Sequence, residues 1–216
     1  MSTDRTRVYV DGFNLYYGAF RDGTFGAYKW LNLVGFCQDI PPQGTSYRHG
    51  EIFHGTGEAQ RDRSRSPRAS GDLHPSVAHA PRDQHPHGTF STHPKIRPVA
   101  DPAAHCQPAV EVIITEEKGS DVNLATYLLL DAFDDTLDTA VVISDDSDLL
   151  EPIKVVKERF DRRIVVIRIR TNRGSVFKNV ADAVYDANRS RYYSQSQLPA
   201  TLTSPSGKVI NRPSGW

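Results

Sequence analysis

Cysteine is scarce. Cys37 and Cys106 are the only two, too few for a disulfide framework and without metal-ligand spacing, which suits a reducing compartment. No apolar run reaches membrane length and no signal-peptide pattern is present, so a soluble, cytoplasmic product with no membrane partner is expected. Net charge is missing as well: 26 Lys and Arg balance 26 Asp and Glu, so any nucleic-acid partner must be drawn by a local basic surface. Neither a Walker lysine loop nor GxGxxG occurs, which argues against nucleoside-triphosphate or dinucleotide binding. The 216 residues suffice for one α/β domain with a full core.

Aliphatic side chains fail locally. Between Pro41 and Gly88 only Ile52, Leu73 and Val77 represent Ile, Leu and Val, and six prolines interrupt the stretch, so nothing in it promises a core face. All eight histidines fall between His49 and His105, but their irregular spacing favours low complexity over a zinc site. A disordered insert is one explanation, although a loop of this length is unusual inside a compact domain. A second is a hypothesis about the gene. Back-translated with free choice of synonymous codons and read one base later, Thr45 to Thr56 spells QVIAMVRYFTA, and the residues after Thr56 spell a linker, an amphipathic helix and a strand. On that hypothesis 41–88 is an out-of-frame translation bounded by compensating indels near Ile40 and Gly88, and it interrupts a domain spanning 1–190.

What the chain does have is a set of strands that end in carboxylates. Ala140 to Ile143 reads as a buried parallel strand, LLEPIKVVKERF comes next with helical spacing, and Asp145, Asp146 and Asp148 crowd the turn between them. RVYV at Arg7 to Val10 delivers Asp11 before Gly12, Phe13 and Asn14 in the same strand, carboxylate, helix order. VEVIIT at Val110 to Thr115 is a strand, and Asp121 lies in the first turn of the helix that starts after Gly119. Each acid also has a plain role as a helix cap. Trp30 to Ile40 reads as a packing helix, and Asp131, Asp134 and Asp135 as solvated surface. IVVIRIR at Ile164 to Arg170 forms the last strand. Arg168, Arg170 and Arg173 make a backbone-contacting edge for RNA or are solvated arginines, and Lys118 is a phosphate contact or a loop lysine. From Arg189 the Ser-, Pro- and Thr-rich sequence reads as a tail, 191–216, docked through Trp216.

A parallel sheet would bring the junctions at Asp11, Asp121, Asp146 and Asp148 to one edge, where open α/β sheets place their chemistry. Clustered carboxylates repel one another unless a hard cation is present, Mg²⁺ or Mn²⁺ being the natural choice. Such a site suits metal-assisted phosphodiester hydrolysis. An aspartyl phosphatase would want a second carboxylate two residues after Asp11, where Phe13 stands.

VYVDGFNLYYG at Val8 to Gly18, KGSDVNLATYLLLDAF at Lys118 to Phe133 and VISDDSDLLEPI at Val142 to Ile153 resemble the three motifs of NYN domain proteins, a bacterial branch of the PIN-like nucleases. The resemblance covers residues 7–40 and about 88–185. It implies a Rossmann-like, three-layer α/β/α sandwich with a mainly parallel sheet, Mg²⁺ or Mn²⁺ as cofactor, and cleavage of single-stranded or structured RNA. It carries metal binding and catalysis onto Asp11, Asp121, Asp146 and Asp148, with Asn14, Ser144 and Asp145 in support. Two rival readings remain: a non-catalytic RNA-binding scaffold that keeps the acidic site, and the inactive product of a damaged gene. Homo-oligomerisation stays open.

Overall fold

The computed structural model describes residues 5–21, 24–40, 52–55, 57–58, 88–101, 107–170, 176–204, 207–214 and 216. Most of 41–87, Arg173 and Cys106 therefore lie outside the described residues.

Five parallel strands make the central sheet. They are β1 (Thr6–Asp11), β2 (Ile52–Gly55), β6 (Thr139–Ile143), β7 (Arg163–Arg168) and β8 (Ala183–Asp186), in the order β2-β1-β6-β7-β8. Every residue of β6 is buried because helices cover both faces of the sheet, which is why it reads as a continuous apolar run. Alternate residues serve opposite faces. Val8, Val10, Val141, Ile143, Val165 and Ile167 pack toward α1 (Gly12–Leu15), α2 (Leu33–Asp39) and α5 (Ser190–Gln195). Tyr9, Ala140, Val142, Ile164 and Val166 pack toward α3 (Ser120–Phe133) and α4 (Leu150–Phe160). The result is the expected α/β/α sandwich.

The sheet reverses direction at β1. The chain goes from β1 to β2 on one side and later to β6 on the other, so the carboxyl ends of β1 and β6 flank the point where strand order switches. Ligand crevices of open α/β sheets open at this point.

A second sheet departs from expectation. Val110 to Thr115 lies in β5 (Ala109–Lys118), as predicted, but β5 pairs antiparallel with β4 (Gly88–Pro98) in a long ribbon that β3 (Gly57–Glu58) joins. The third carboxylate junction thus comes from the ribbon and not from the central sheet. Ile96 and Ile113 are largely exposed on it.

Four other expectations change. The stretch read as unable to fold supplies β2, in register with β1 from Val8↔Ile52 to Asp11↔Gly55. The packing helix read over Trp30 to Ile40 is shorter, α2 at Leu33–Asp39, although Trp30, Leu31, Leu33, Phe36, Cys37 and Ile40 are all buried as such a segment requires. Asp131, read as surface, is only 8% exposed and accepts hydrogen bonds from Arg7 and the Tyr9 hydroxyl of β1. The segment read as a tail begins inside the core. Tyr193 of α5 stacks on Phe25 at 4.1 Å, Trp30 Nε1 donates to the Pro199 carbonyl, and β9 (Thr201–Thr203) pairs with β10 (Val209–Asn211). Trp216 does dock, edge-on to Trp30 at 6.2 Å. Among the described residues no helix is long and apolar enough to cross a membrane.

Candidate active site

Asp11 ends β1 and is 4% exposed. Its Oδ1 accepts from the Asn14 backbone N–H at 2.8 Å, so it caps α1, and its Oδ2 accepts from the Ser144 hydroxyl at 2.8 Å. Ser144 lies just beyond β6, so that bond joins the carboxyl ends of the two central strands. The same hydroxyl accepts from the Asp146 N–H at 3.0 Å, and Asp146 Oδ1 accepts from the Asp148 N–H at 3.0 Å to cap the following turn. Asn14 Oδ1 takes the Asp145 N–H at 3.2 Å. These bonds fix the acidic turn against the start of α1.

Asp145 faces the other way. Its Oδ2 accepts from the backbone N–H groups of Ile169 at 2.9 Å and Arg170 at 2.6 Å, and its Oδ1 accepts from Arg168 Nε at 3.3 Å. Arg168 is 6% exposed and also bonds Asp186 and the Arg170 carbonyl. It is a buried tie and not the RNA-contacting surface expected of it. Arg170 is exposed and lines the cleft. Its side chain passes close to Gly18, where a Cβ would stand 2.9 Å from Ile169 Cγ2 and 3.3 Å from Arg170 Nε.

The cleft has a volume of about 270 Å³. Asp11, Asp121 and Asp146 line it with Asn14, Glu117 and Ser120, and Phe13, Tyr17 and Arg170 complete its wall. Sequence reasoning missed Glu117, whose carboxylate accepts from the Ser120 N–H at 2.9 Å and hydroxyl at 2.7 Å. An acid three residues before Ser120 in EEKGS was the available signal. Asp148 is exposed and outside the lining, and Lys118 pairs with Glu116 at 2.9 Å on the ribbon.

The charge is unbalanced. Burial pushes the Asp11 carboxyl up to about 6, and the negative Asp121 and Asp146 add to the rise against the hydrogen bonds from Asn14 and Ser144. Asp121 is also raised, by burial first and then by Asp146, Glu117 and Asp148. Among the described residues no three acids, thiols or imidazoles are already gathered in a chelating arrangement. The donor set nevertheless fits a hard divalent cation: carboxylate oxygens only, mutually repelling, in one cleft.

Comparison with known proteins agrees with the motifs. The NYN domain family's profile matches residues 5–190. The chain belongs to the NYN domain family. This is a PIN-like, nuclease-type family of hydrolases, and its members generally depend on divalent metal and interact with nucleic acid. The NYN match ends within α5, whose Tyr192 and Tyr193 still belong to the core. The chain is also similar to 6-hydroxy-3-succinoylpyridine 3-monooxygenase HspA of Pseudomonas putida, at 26% identity over 247 aligned positions, 98% of this chain and 75% of that protein. Among solved structures, a protein of unknown function from Vibrio parahaemolyticus covers 88% of this chain and 98% of its own, with a TM-score of 0.46 and 13% identity.

Proposed function

We propose that this NYN domain hydrolyses RNA phosphodiester bonds with Mg²⁺ or Mn²⁺ held by Asp11, Asp121 and Asp146. One observation carries the reading. Three carboxylates from separate elements meet in one cleft at the strand-order switch, with electrostatic strain on two of them that a cation would relieve. A divalent ion supplies Lewis-acid charge for a phosphate and lowers the pKa of the water it holds. Asn14 and Ser144 hold Asp11 and the acidic turn in place, and Asp145 holds Arg170 at the rim, where its guanidinium meets a phosphate. Asp148 stays outside the lining and adds negative charge near Asp121.

The test is a metal titration of RNA cleavage. Cutting that rises with Mg²⁺ or Mn²⁺ and stops in chelator is expected, and Asp146→Asn should lose it. RNA bound equally well in chelator with no cutting in any metal would favour a scaffold. The resemblance to HspA supplies a second reading, oxidation of a pyridine. Turnover of 6-hydroxy-3-succinoylpyridine, in a protein that leaves RNA intact, would favour it.

A further inference from the structure

We propose that Phe13 and Tyr17 form a stacking platform for unpaired bases of the substrate beside the carboxylate cleft. The proposal rests on the hydrolase reading above and states what holds its substrate. Both rings line the same cleft as Asp11, Asp121 and Asp146. They stand four residues apart, nearly parallel at 21° with centroids 6.4 Å apart. Phe90 of the ribbon meets Phe13 edge-on at 5.6 Å, and Tyr16 meets Tyr17 edge-on at 5.4 Å. Edge contacts of this kind fix a ring's orientation without burying it. Both rings stay partly exposed, and neither belongs to either core cluster.

Core packing therefore does not explain them. Two oriented rings in the wall of an otherwise polar, acidic cleft offer what the carboxylates cannot, since acids repel the phosphate chain while a ring face attracts a base. The Arg21 guanidinium lies 5.0 Å over the Tyr17 ring, and Arg170 adds a second cation at the cleft. Aromatic faces beside a cationic track are how single strands are bound without sequence preference, because every base has a π-face. A duplex hides those faces within its own stack.

The experiment measures binding of a fluorescein-labelled oligouridylate with Ca²⁺ in place of Mg²⁺, so that affinity is read without cleavage. Phe13→Leu and Tyr17→Leu should each weaken binding about 5- to 100-fold, while Phe13→Trp and Tyr17→Phe keep it. Thermal melting should stay at the wild-type value in all four, because the rings lie outside the core. A blunt duplex should bind more weakly than the single strand and be indifferent to the Leu substitutions. The proposal is overturned if the Leu variants bind like wild type, if the duplex is equally sensitive, or if free pyridine binds as tightly as the oligonucleotide. Unchanged binding by the Leu variants of a protein that still cuts RNA removes the platform alone. Failure to cut in any metal removes the hydrolase reading and leaves the binding comparison to be judged by itself.

Discussion

Asp11 performs two tasks that pull against each other. As a cap it satisfies the Asn14 N–H, and as a charge it sits buried beside Asp121 and Asp146, which lifts it from the usual 3.8 to about 6. Ionising it in the metal-free fold thus costs about 3 kcal/mol at neutral pH. Asp11→Asn keeps an acceptor for the Asn14 N–H, gives up the one for the Ser144 hydroxyl, worth about 1 kcal/mol, and removes that larger cost. The variant should lose metal-dependent cleavage yet melt a few degrees higher than wild type in chelator at pH 7. Calorimetry with and without Mg²⁺ checks it, and equal melting temperatures in chelator would refute the electrostatic account. Asp146→Asn should also abolish cleavage with the fold unchanged, because its side-chain oxygen can still accept from the Asp148 N–H.

At the scale of elements, two ties hold the site's frame. Asp145 joins the acidic turn after β6 to the end of β7 through Arg168 and the Ile169 and Arg170 backbone. Asp145→Ala would take one carboxylate from buried Arg168, which keeps Asp186 and the Arg170 carbonyl among its partners, and would free two N–H groups, at a cost of about 3 kcal/mol or more. Urea unfolding should show that loss, and RNA binding should weaken as Arg170 shifts. An unchanged urea midpoint would show the tie to be idle. The second tie fastens the start of β1: Arg5 donates to Asp138 from its backbone N–H at 2.8 Å and from its guanidinium. The Arg5 hydrogen bond lowers the Asp138 carboxyl from 3.8 to about 2. A depressed carboxyl stabilises the fold above its ordinary value and loses that contribution as pH falls through the folded one. Wild type should therefore lose stability relative to Asp138→Asn between about pH 4 and pH 2, by a small amount because the pair is partly exposed. Parallel acid curves would count against it. These ties also explain what the sequence made legible. AVVI and IVVI announce buried strands because both sheet faces are covered, and the acids that follow RVYV and AVVI announce the cleft. Asp131 looks like helix surface because its partner Arg7 lies 124 residues away. RYYSQ looks like tail because Phe20, Phe25 and Phe36, which bury Tyr193, come from the far end of the chain.

For the whole molecule the open matter is the stretch between Ile40 and Gly88. Its poverty in aliphatic residues does not leave α2 bare, since Leu33, Phe36 and Cys37 are buried in one cluster with Leu15 of α1 and with Tyr192 and Tyr193 of α5. The reading-frame hypothesis survives on a narrower basis. The shifted frame spells a strand across Thr45 to Thr56, and β2 lies within that span, at Ile52–Gly55 beside β1. At the positions of β2 the shifted reading puts YFTA for IFHG, and just before it IAMV for YRHG, so a polar approach to the strand becomes apolar. Two or three more buried apolar side chains contribute about 1.5–3 kcal/mol each, a large share of a domain's net stability of about 5–15 kcal/mol. A gene carrying the shifted frame between Ile40 and Gly88 should yield a protein that melts on the order of 10 °C higher than the chain as written, with the same carboxylate cleft and the same metal requirement. Sequencing the locus should reveal the two compensating indels. An intact frame at the locus, or a restored protein that melts no higher than the written one, would establish that the His- and Pro-rich stretch belongs to the protein.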